Sequence, residues 1–182
     1  MTVLWVILGL VVVGVLYYIS MYNGIVKLKT TRDNAWSDID VQLRMRFDLV
    51  DNLVNTVKWY AKHEKNTFKE VVEARNKFAT ATDIKSKADA DNMLSASLKS
   101  LFALSEAYPE LKANENFLSL QTELSDIENK IASARRYFNA ATREYNTAIQ
   151  QFPANILFHK QPEDYFEWIE EAKKAPKVKF DD

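Results

Sequence analysis

The side chains best suited to metal chemistry are few and are not spaced for it. The 182-residue chain has two histidines and no cysteine. His63 precedes Glu64, as in helical zinc-protease motifs, but those motifs need a second histidine four residues after the first so that both imidazoles share one helix face. Residue 67 is Thr, and the other histidine is His159. We therefore predict no metal site and interpret His63 as a helix-surface residue.

Covalent and phosphate chemistry have as little support. A Ser or Thr nucleophile needs a histidine base oriented by a carboxylate, and neither histidine lies in such a pattern. No glycine follows Gly24, so the chain has no Gly-rich phosphate loop. The adjacent Glu170 and Glu171 would point to different sides of a helix. We predict a protein that is not an enzyme and has no catalytic residue, cofactor or bound metal.

Composition favours long helices. All three glycines come before residue 25 and all four prolines after residue 108, which leaves few residues for the turns of a sheet protein. Charged residues are 27% of the chain and the net charge is -1, so no nucleic-acid partner is expected. The predicted fold is all-α.

A membrane anchor is predicted at the N-terminal end. Residues 2–22 contain no charged side chain, and about 20 apolar residues suffice to cross a bilayer as a helix. The aromatic residues expected at the two membrane interfaces are Trp5, Tyr17, Tyr18 and Tyr22. A cleaved secretory signal is the alternative, but the basic n-region and small-residue cleavage site are lacking. Lipid is thus the first predicted partner.

Orientation follows from the flanking charges. Lys27, Lys29 and Arg32 are the first charged residues after the span, and the short N-terminal flank has no basic side chain. The positive-inside rule then leaves the N-terminus outside and the rest of the chain in the cytoplasm.

A very long first helix is predicted from Asp33 to Phe78, because no Gly or Pro interrupts it. Steps of three and four residues give an apolar stripe for packing on partner helices. The stripe consists of Trp36, Leu43, Phe47, Val50, Val54, Val57, Ala61, Phe68, Val71 and Phe78. One continuous helix is the favoured interpretation, and a break within 60–64 is the alternative. The anchor is expected to run into this helix through Gly24.

Two further helices complete the predicted antiparallel up-and-down bundle. The second begins near Ser86, which forms a capping-box pattern with Asp89, and ends at Pro109. The third is capped by Asn114 or Asn116 and stopped by Pro153, with a 3.5-residue apolar repeat. The repeat consists of Phe117, Leu120, Leu124, Ile127, Ile131, Ala134, Phe138, Ala141, Tyr145, Ala148 and Phe152.

Charged side chains fall at apolar positions of these helices and form a predicted polar stripe for structure or interaction. Its residues are Asp40, Glu64, Arg75, Arg135 and Arg143. Because a buried charge is costly unless paired, we predict that Asp40 meets Arg135 or Arg143. Such a pair could fix helix register, or the stripe could dock another subunit or protein.

Four blocks of this sequence resemble the LemA family of bacterial membrane proteins. The blocks are NAWSDIDVQL (34–43), RFDLVDNLVNTVKWYAKHE (46–64), AYPELKANENFLSLQTEL (107–124) and ENKIASARRYFNAATREYN (128–146). The resemblance implies an N-terminal membrane anchor, an antiparallel helical bundle and no established enzymatic activity. It also implies links to membrane stress proteases or to organelle-like bacterial membranes. Asp51 and Trp59 replace the Pro and Gly usual in the family, which favours a straight first helix.

The predicted organisation is an anchor at 1–24, a LemA-like bundle at 25–153, and a tail at 154–182. The tail is expected to hold a short helix around Tyr165, Phe166, Trp168 and Ile169, packed on the bundle or lying at the membrane interface. The predicted function is that of a non-enzymatic membrane-anchored scaffold or adaptor that forms homo-oligomers. The alternative is a regulatory binding partner of a membrane protease or sensor.

Overall fold

The computed structural model describes residues 1–166, which contain six α-helices and no strand. The helices are α1 (Thr2–Tyr60), α2 (Lys65–Thr80), α3 (Ile84–Ser105), α4 (Pro109–Lys112), α5 (Glu115–Gln150) and α6 (Ala154–Phe158). The predicted all-α fold with an N-terminal transmembrane helix is confirmed. The described chain divides into two compact units, which we call the anchor unit (Met1–Ile39 with Ala134–Asp164) and the bundle unit (Asp40–Ser133 with Tyr165 and Phe166).

The first helix begins within the apolar span and continues without a break for 59 residues. Residues 2–20 are all exposed, and the most apolar 18-residue window of α1 has a mean hydropathy of 2.5. Gly24 lies in the helix interior, where its backbone is helical. The expected continuity of the anchor with the long helix is therefore confirmed.

The favoured single helix from Asp33 to Phe78 is wrong, because α1 ends at Tyr60 and α2 begins at Lys65. The two helices form an antiparallel hairpin, in which the Phe47 and Phe78 rings are 5.5 Å apart. Residues 62–67 carry no apolar side chain, so a turn there leaves no apolar group unpacked. Folding back lets the apolar stripes of both helices share one core, which contains Val50, Val57 and Val71, all fully buried.

The bundle unit continues the up-and-down pattern. Arg46 of α1 contacts Asp91 of α3, and the Phe102 and Phe117 rings of α3 and α5 lie 6.1 Å apart. Val50 and Ile131 are fully buried, as the apolar repeats predict. Because of the hairpin, the bundle has one helix more than predicted, and α3 lies beside α1.

Helix ends agree with the sequence in part. Asn114 caps α5, since its Oδ1 accepts a hydrogen bond from the backbone N–H of Phe117 at 3.0 Å. The start of α3 differs from the prediction, because Asp83, not Ser86, is the N-cap and accepts from the backbone N–H of Ser86 at 2.9 Å. Pro109 opens α4 instead of ending α3.

In the anchor unit, α1 packs antiparallel to α5. The Trp36 and Phe138 rings lie 5.6 Å apart, and Phe138 is fully buried. Nearer the span, a core cluster contains Ile25, Tyr145, Ile149 and Ala154. The predicted repeat of α5 fails at its last member only: Phe152 lies beyond the end of the helix and is 80% exposed.

The tail differs from the prediction within the described residues. The short helix of this region is α6, and Tyr165 and Phe166 are not helical. Phe166 is buried, whereas Tyr165 is 40% exposed. The expected helical residues Trp168 and Ile169 lie outside the described residues.

Candidate functional site

Asp40 pairs with one cation of its own helix and one cation of α3. Its carboxylate accepts a hydrogen bond from Arg44 Nε at 2.9 Å and a second from Lys87 Nζ. Burial acts to raise the pKa of Asp40, but the hydrogen bonds and charges of Lys87 and then Arg44 outweigh it and hold the pKa below its usual range. Lys87 belongs to α3 and Arg44 lies one turn along α1. The pairing of Asp40 with Arg135 or Arg143 stays a prediction.

Arg75 and Glu64 each tie helices of the bundle unit together. Arg75 Nη2 lies 2.7 Å from Asp51 Oδ2, and its guanidinium lies 4.7 Å from the centre of the Phe47 ring. Glu64 lies in the turn between α1 and α2 and accepts a hydrogen bond from the Tyr108 hydroxyl at 3.4 Å. Arg75 thus links α2 to α1, and Glu64 links the turn after α1 to the residue that precedes α4.

The two arginines of the predicted stripe belong to the anchor unit. Arg135 is buried, with 5% of its surface exposed, whereas Arg143 is exposed. Asp40, Glu64 and Arg75 belong to the bundle unit. An interaction role for these five residues stays a prediction.

Arg46 and Asp91, which were not among the predicted residues, form a buried ion pair in the bundle unit. Arg46 Nη1 lies 2.7 Å from Asp91 Oδ1, and the two side chains are 6% and 3% exposed. Oε2 of Glu128, in α5, lies 2.9 Å from the same nitrogen and forms an ion pair with it but accepts no hydrogen bond. The cluster joins three helices. Spacing alone could have identified Arg46, because it lies three residues after Leu43 and four before Val50. The predicted stripe contains its more apolar neighbour Phe47 instead.

A second missed cluster lies in the anchor unit around Glu163. Its carboxylate is 3.1 Å from Lys29 Nζ and 3.2 Å from Arg32 Nη2. Its backbone exchanges hydrogen bonds with the side-chain amide of Asn146, at 2.8 and 2.9 Å. Burial acts to lower the pKa of Lys29, but the hydrogen bond and charge of Glu163 outweigh it and raise the pKa. The cluster fastens residue 163 to α1 and α5.

Arg32 and Arg46 occupy equivalent positions on α1. They are 14 residues apart, which is two heptads, and both are buried, at 4% and 5% exposure. Ile39 lies midway between them and is fully buried. The packed face of α1 therefore alternates apolar residues with arginines whose acidic partners offset the cost of desolvating the charge.

Each unit also has an open cleft among its described residues. The larger, of about 650 Å³, lies in the anchor unit among Tyr17, Met21, Ile25, Phe152 and Pro153. The smaller, of about 530 Å³, lies at the end of α1 in the bundle unit and includes Trp59 and Tyr60.

The predicted interfacial aromatics are all exposed on the span. Trp5 is 69% exposed, Tyr17 58%, and Tyr18 and Tyr22 44% each. Their role at the two membrane interfaces stays a prediction.

Over residues 1–166, no group of three His, Cys, Asp or Glu side chains is placed to hold a metal ion. His63 and His159 are both exposed.

Comparison with known proteins gives a family and several relatives. The model of the LemA family matches residues 35–180. The chain is 27% identical over 178 residues to the magnetosome protein MamQ of Magnetospirillum gryphiswaldense, covering 78% of this chain and 65% of the relative. It is 24% identical over 151 residues to the protein LemA of Metamycoplasma hominis, covering 81% of this chain and 69% of the relative.

A second magnetosome protein, MamQ 2 of Paramagnetospirillum magneticum, is 26% identical over 162 residues, which are 75% of this chain and 60% of the relative. The chain thus spans less than two thirds of the length of both MamQ relatives. The family model covers most of this chain, including all but the first residue of the four blocks that resemble the family. On this match, the chain belongs to the LemA family.

Proposed function

We propose that the chain is a non-enzymatic, membrane-anchored helical bundle that acts as a scaffold or adaptor and associates with itself in the membrane. The observation that carries the proposal is the continuity of α1. One helix runs from the exposed apolar span to the buried Ile25 and Ile39 of the anchor unit. A span continuous with the packed part of the chain holds that part at a fixed height and rotation relative to the bilayer.

Self-association is supported by the exposure of the whole span. No side chain of residues 2–20 is buried within the chain, so every face of this part of α1 is available to lipid or to a second span. Anchoring also confines the molecules to a plane, where weak contacts are strengthened by effective concentration.

We further propose the bacterial inner membrane as location, with the N-terminus outside and the bundle in the cytoplasm. Lys27, Lys29 and Arg32 follow the span and support this orientation by the positive-inside rule. The family match and the bacterial relatives support the membrane setting.

Disulfide cross-linking in native membranes tests self-association. Because the chain has no cysteine, single cysteines can be placed at each position from residue 6 to residue 17. Contact between two spans would give cross-linked dimers that recur every three to four residues, as one helix face meets its copy. The same variants diluted in detergent serve as the control, and monomer at every position in the membrane would contradict the proposal.

Regulatory binding to a membrane protease or sensor is the second candidate. Trp59 is 77% exposed at the end of α1, beside the smaller cleft, where Asn114 donates a hydrogen bond to the Tyr60 hydroxyl at 3.1 Å. An exposed Trp beside polar groups is the residue type that dominates protein interfaces.

A pull-down from solubilised membranes separates the two candidates. Recovery of one stoichiometric membrane enzyme with the natural chain, but not with Trp59→Ala, would support the regulatory role. Tyr137→Ala is the matched control, since Tyr137 is a 55% exposed aromatic residue of α5. Recovery of the chain itself as the single stoichiometric species would favour the scaffold.

A further inference from the structure

The segment FPANILF, residues 152–158, presents apolar side chains to the surroundings of the anchor unit. Phe152 is 80% exposed, Ile156 58% and Leu157 45%. The segment contains no charged side chain, and Lys160 is the second residue after it. Neighbouring exposed apolar groups of this kind mark a surface that contacts something other than water.

The position of this segment is fixed by contacts with the transmembrane span. The Phe158 ring lies 5.3 Å from the Tyr18 ring and 5.8 Å from the Tyr22 ring. Ala154 is buried in the cluster that contains Ile25 and Ile149. Tyr18 and Tyr22 belong to the uncharged residues 2–22, so α6 is held against the last two turns of the span.

We propose that residues 152–158 form a second membrane contact, in which the apolar face of α6 and Phe152 enter the interfacial region of the leaflet at the C-terminal end of the span. Tyr18 precedes the end of the span by four residues, which is about 6 Å of helix. That depth matches the roughly 5–10 Å to which interfacial helices bury their apolar face. Lys27 on α1 and Lys160 then lie near the height of the headgroups.

Lipid is the favoured occupant because the surface is continuous with the span. When α1 crosses the bilayer, the ring contacts carry α6 to the same leaflet boundary, where exposed Phe, Ile and Leu side chains meet acyl chains. A second copy of the chain could cover the same residues, and the experiment is designed to distinguish that outcome.

Fluorescent labelling of single cysteines tests the inference on the full chain in phosphatidylcholine–phosphatidylglycerol vesicles. Labels at Phe152→Cys and Ile156→Cys are expected to lose most of their emission to nitroxide-bearing lipids and little to aqueous iodide. Tyr137→Cys is the matched control. It is an exposed aromatic position of the same unit, about 20 Å of helix from the end of α5, and iodide alone should quench its label.

The inference rests on the anchoring part of the proposed function, so Val12→Cys within the span is included as a reference. If lipid quenches the label at Val12 but not at Phe152 or Ile156, the second membrane contact is overturned and the anchor stands. If the labels at 152 and 156 are shielded from both quenchers, a protein partner covers the segment and the lipid inference is overturned. Absence of lipid quenching at Val12 would overturn the anchor and the inference together.

Discussion

At the scale of single residues, the pair of Arg46 and Asp91 places two opposite charges inside the bundle unit. The two groups lie 2.7 Å apart and are almost fully buried. A charge in such a position is tolerated because its partner and hydrogen bonds offset the lost hydration. Removing one partner leaves the other charge buried without its main compensation.

We therefore expect Asp91→Ala to lower the free energy of unfolding by about 3–5 kcal/mol. Asp51→Ala is the matched control, since Asp51 pairs with Arg75 at the same distance of 2.7 Å but its side chain is 51% exposed. The control should cost at most about 1 kcal/mol. Urea unfolding of both variants in detergent micelles measures the difference, and equal costs would show that burial of the Arg46 pair has no energetic consequence.

Asp40 gives a prediction for pH dependence. Its pKa is lowered in the folded chain by Lys87 and Arg44, against the opposing effect of burial. A carboxylate with a lowered pKa stabilises the fold fully above its unfolded value of about 3.9 and loses that contribution as the pH falls through the folded value. At pH 7 the natural chain should therefore have a higher free energy of unfolding than Asp40→Asn. This difference in free energy should be smaller at pH 3.

The measurement is urea unfolding of the two proteins at both pH values. Asp38→Asn removes one exposed negative charge from the same helix and controls for net charge. A gap that widens toward pH 3 would show that the ion pair with Lys87 does not stabilise the fold.

At the scale of elements, the turn between α4 and α5 depends on Asn114. Its Oδ1 caps α5 through the backbone N–H of Phe117, and its Nδ2 donates to the Tyr60 hydroxyl at the end of α1. One side chain thereby satisfies a free N–H of α5 and links two helix ends.

Asn114→Ala should lower the free energy of unfolding by about 1–2 kcal/mol, through the lost cap. Asn116→Ala is the control, because Asn116 is exposed and was the other cap candidate in the sequence. It should change stability by no more than about 0.5 kcal/mol. Thermal unfolding followed by circular dichroism measures both, and a larger loss for Asn116→Ala would contradict the assignment of the cap.

At the scale of the whole molecule, the proposed orientation predicts which membrane face exposes the chain after residue 25. Protease added to intact spheroplasts should leave that part uncut, because it lies in the cytoplasm. Protease added to inverted membrane vesicles should digest the chain after residue 25. Replacing Lys27, Lys29 and Arg32 together by Gln should weaken the preference, since these residues carry the positive-inside signal. Cleavage in intact spheroplasts would reverse the proposed orientation.

Local features of the sequence suffice to predict the class of fold, the apolar N-terminal span and most of the packed face of each helix. These follow from local properties: the absence of charge over residues 2–22, the lack of interrupting Gly and Pro, and apolar side chains at helical spacing. Val50, Ile131 and Phe138 are buried as that spacing predicts. The Asn114 cap is local too, and it was one of two predicted candidates.

The tertiary structure alone decided which charged residues are buried and which partners they meet. Asp40 pairs with Lys87, and Arg46 with Asp91, because the α1–α2 hairpin brings α3 alongside α1. The position of α6 against Tyr18 and Tyr22 is likewise a contact between residues more than 130 positions apart. Periodicity specifies which face of a helix packs, but the choice of neighbour depends on where the chain turns. At residues 61–64 no Gly or Pro marks that turn.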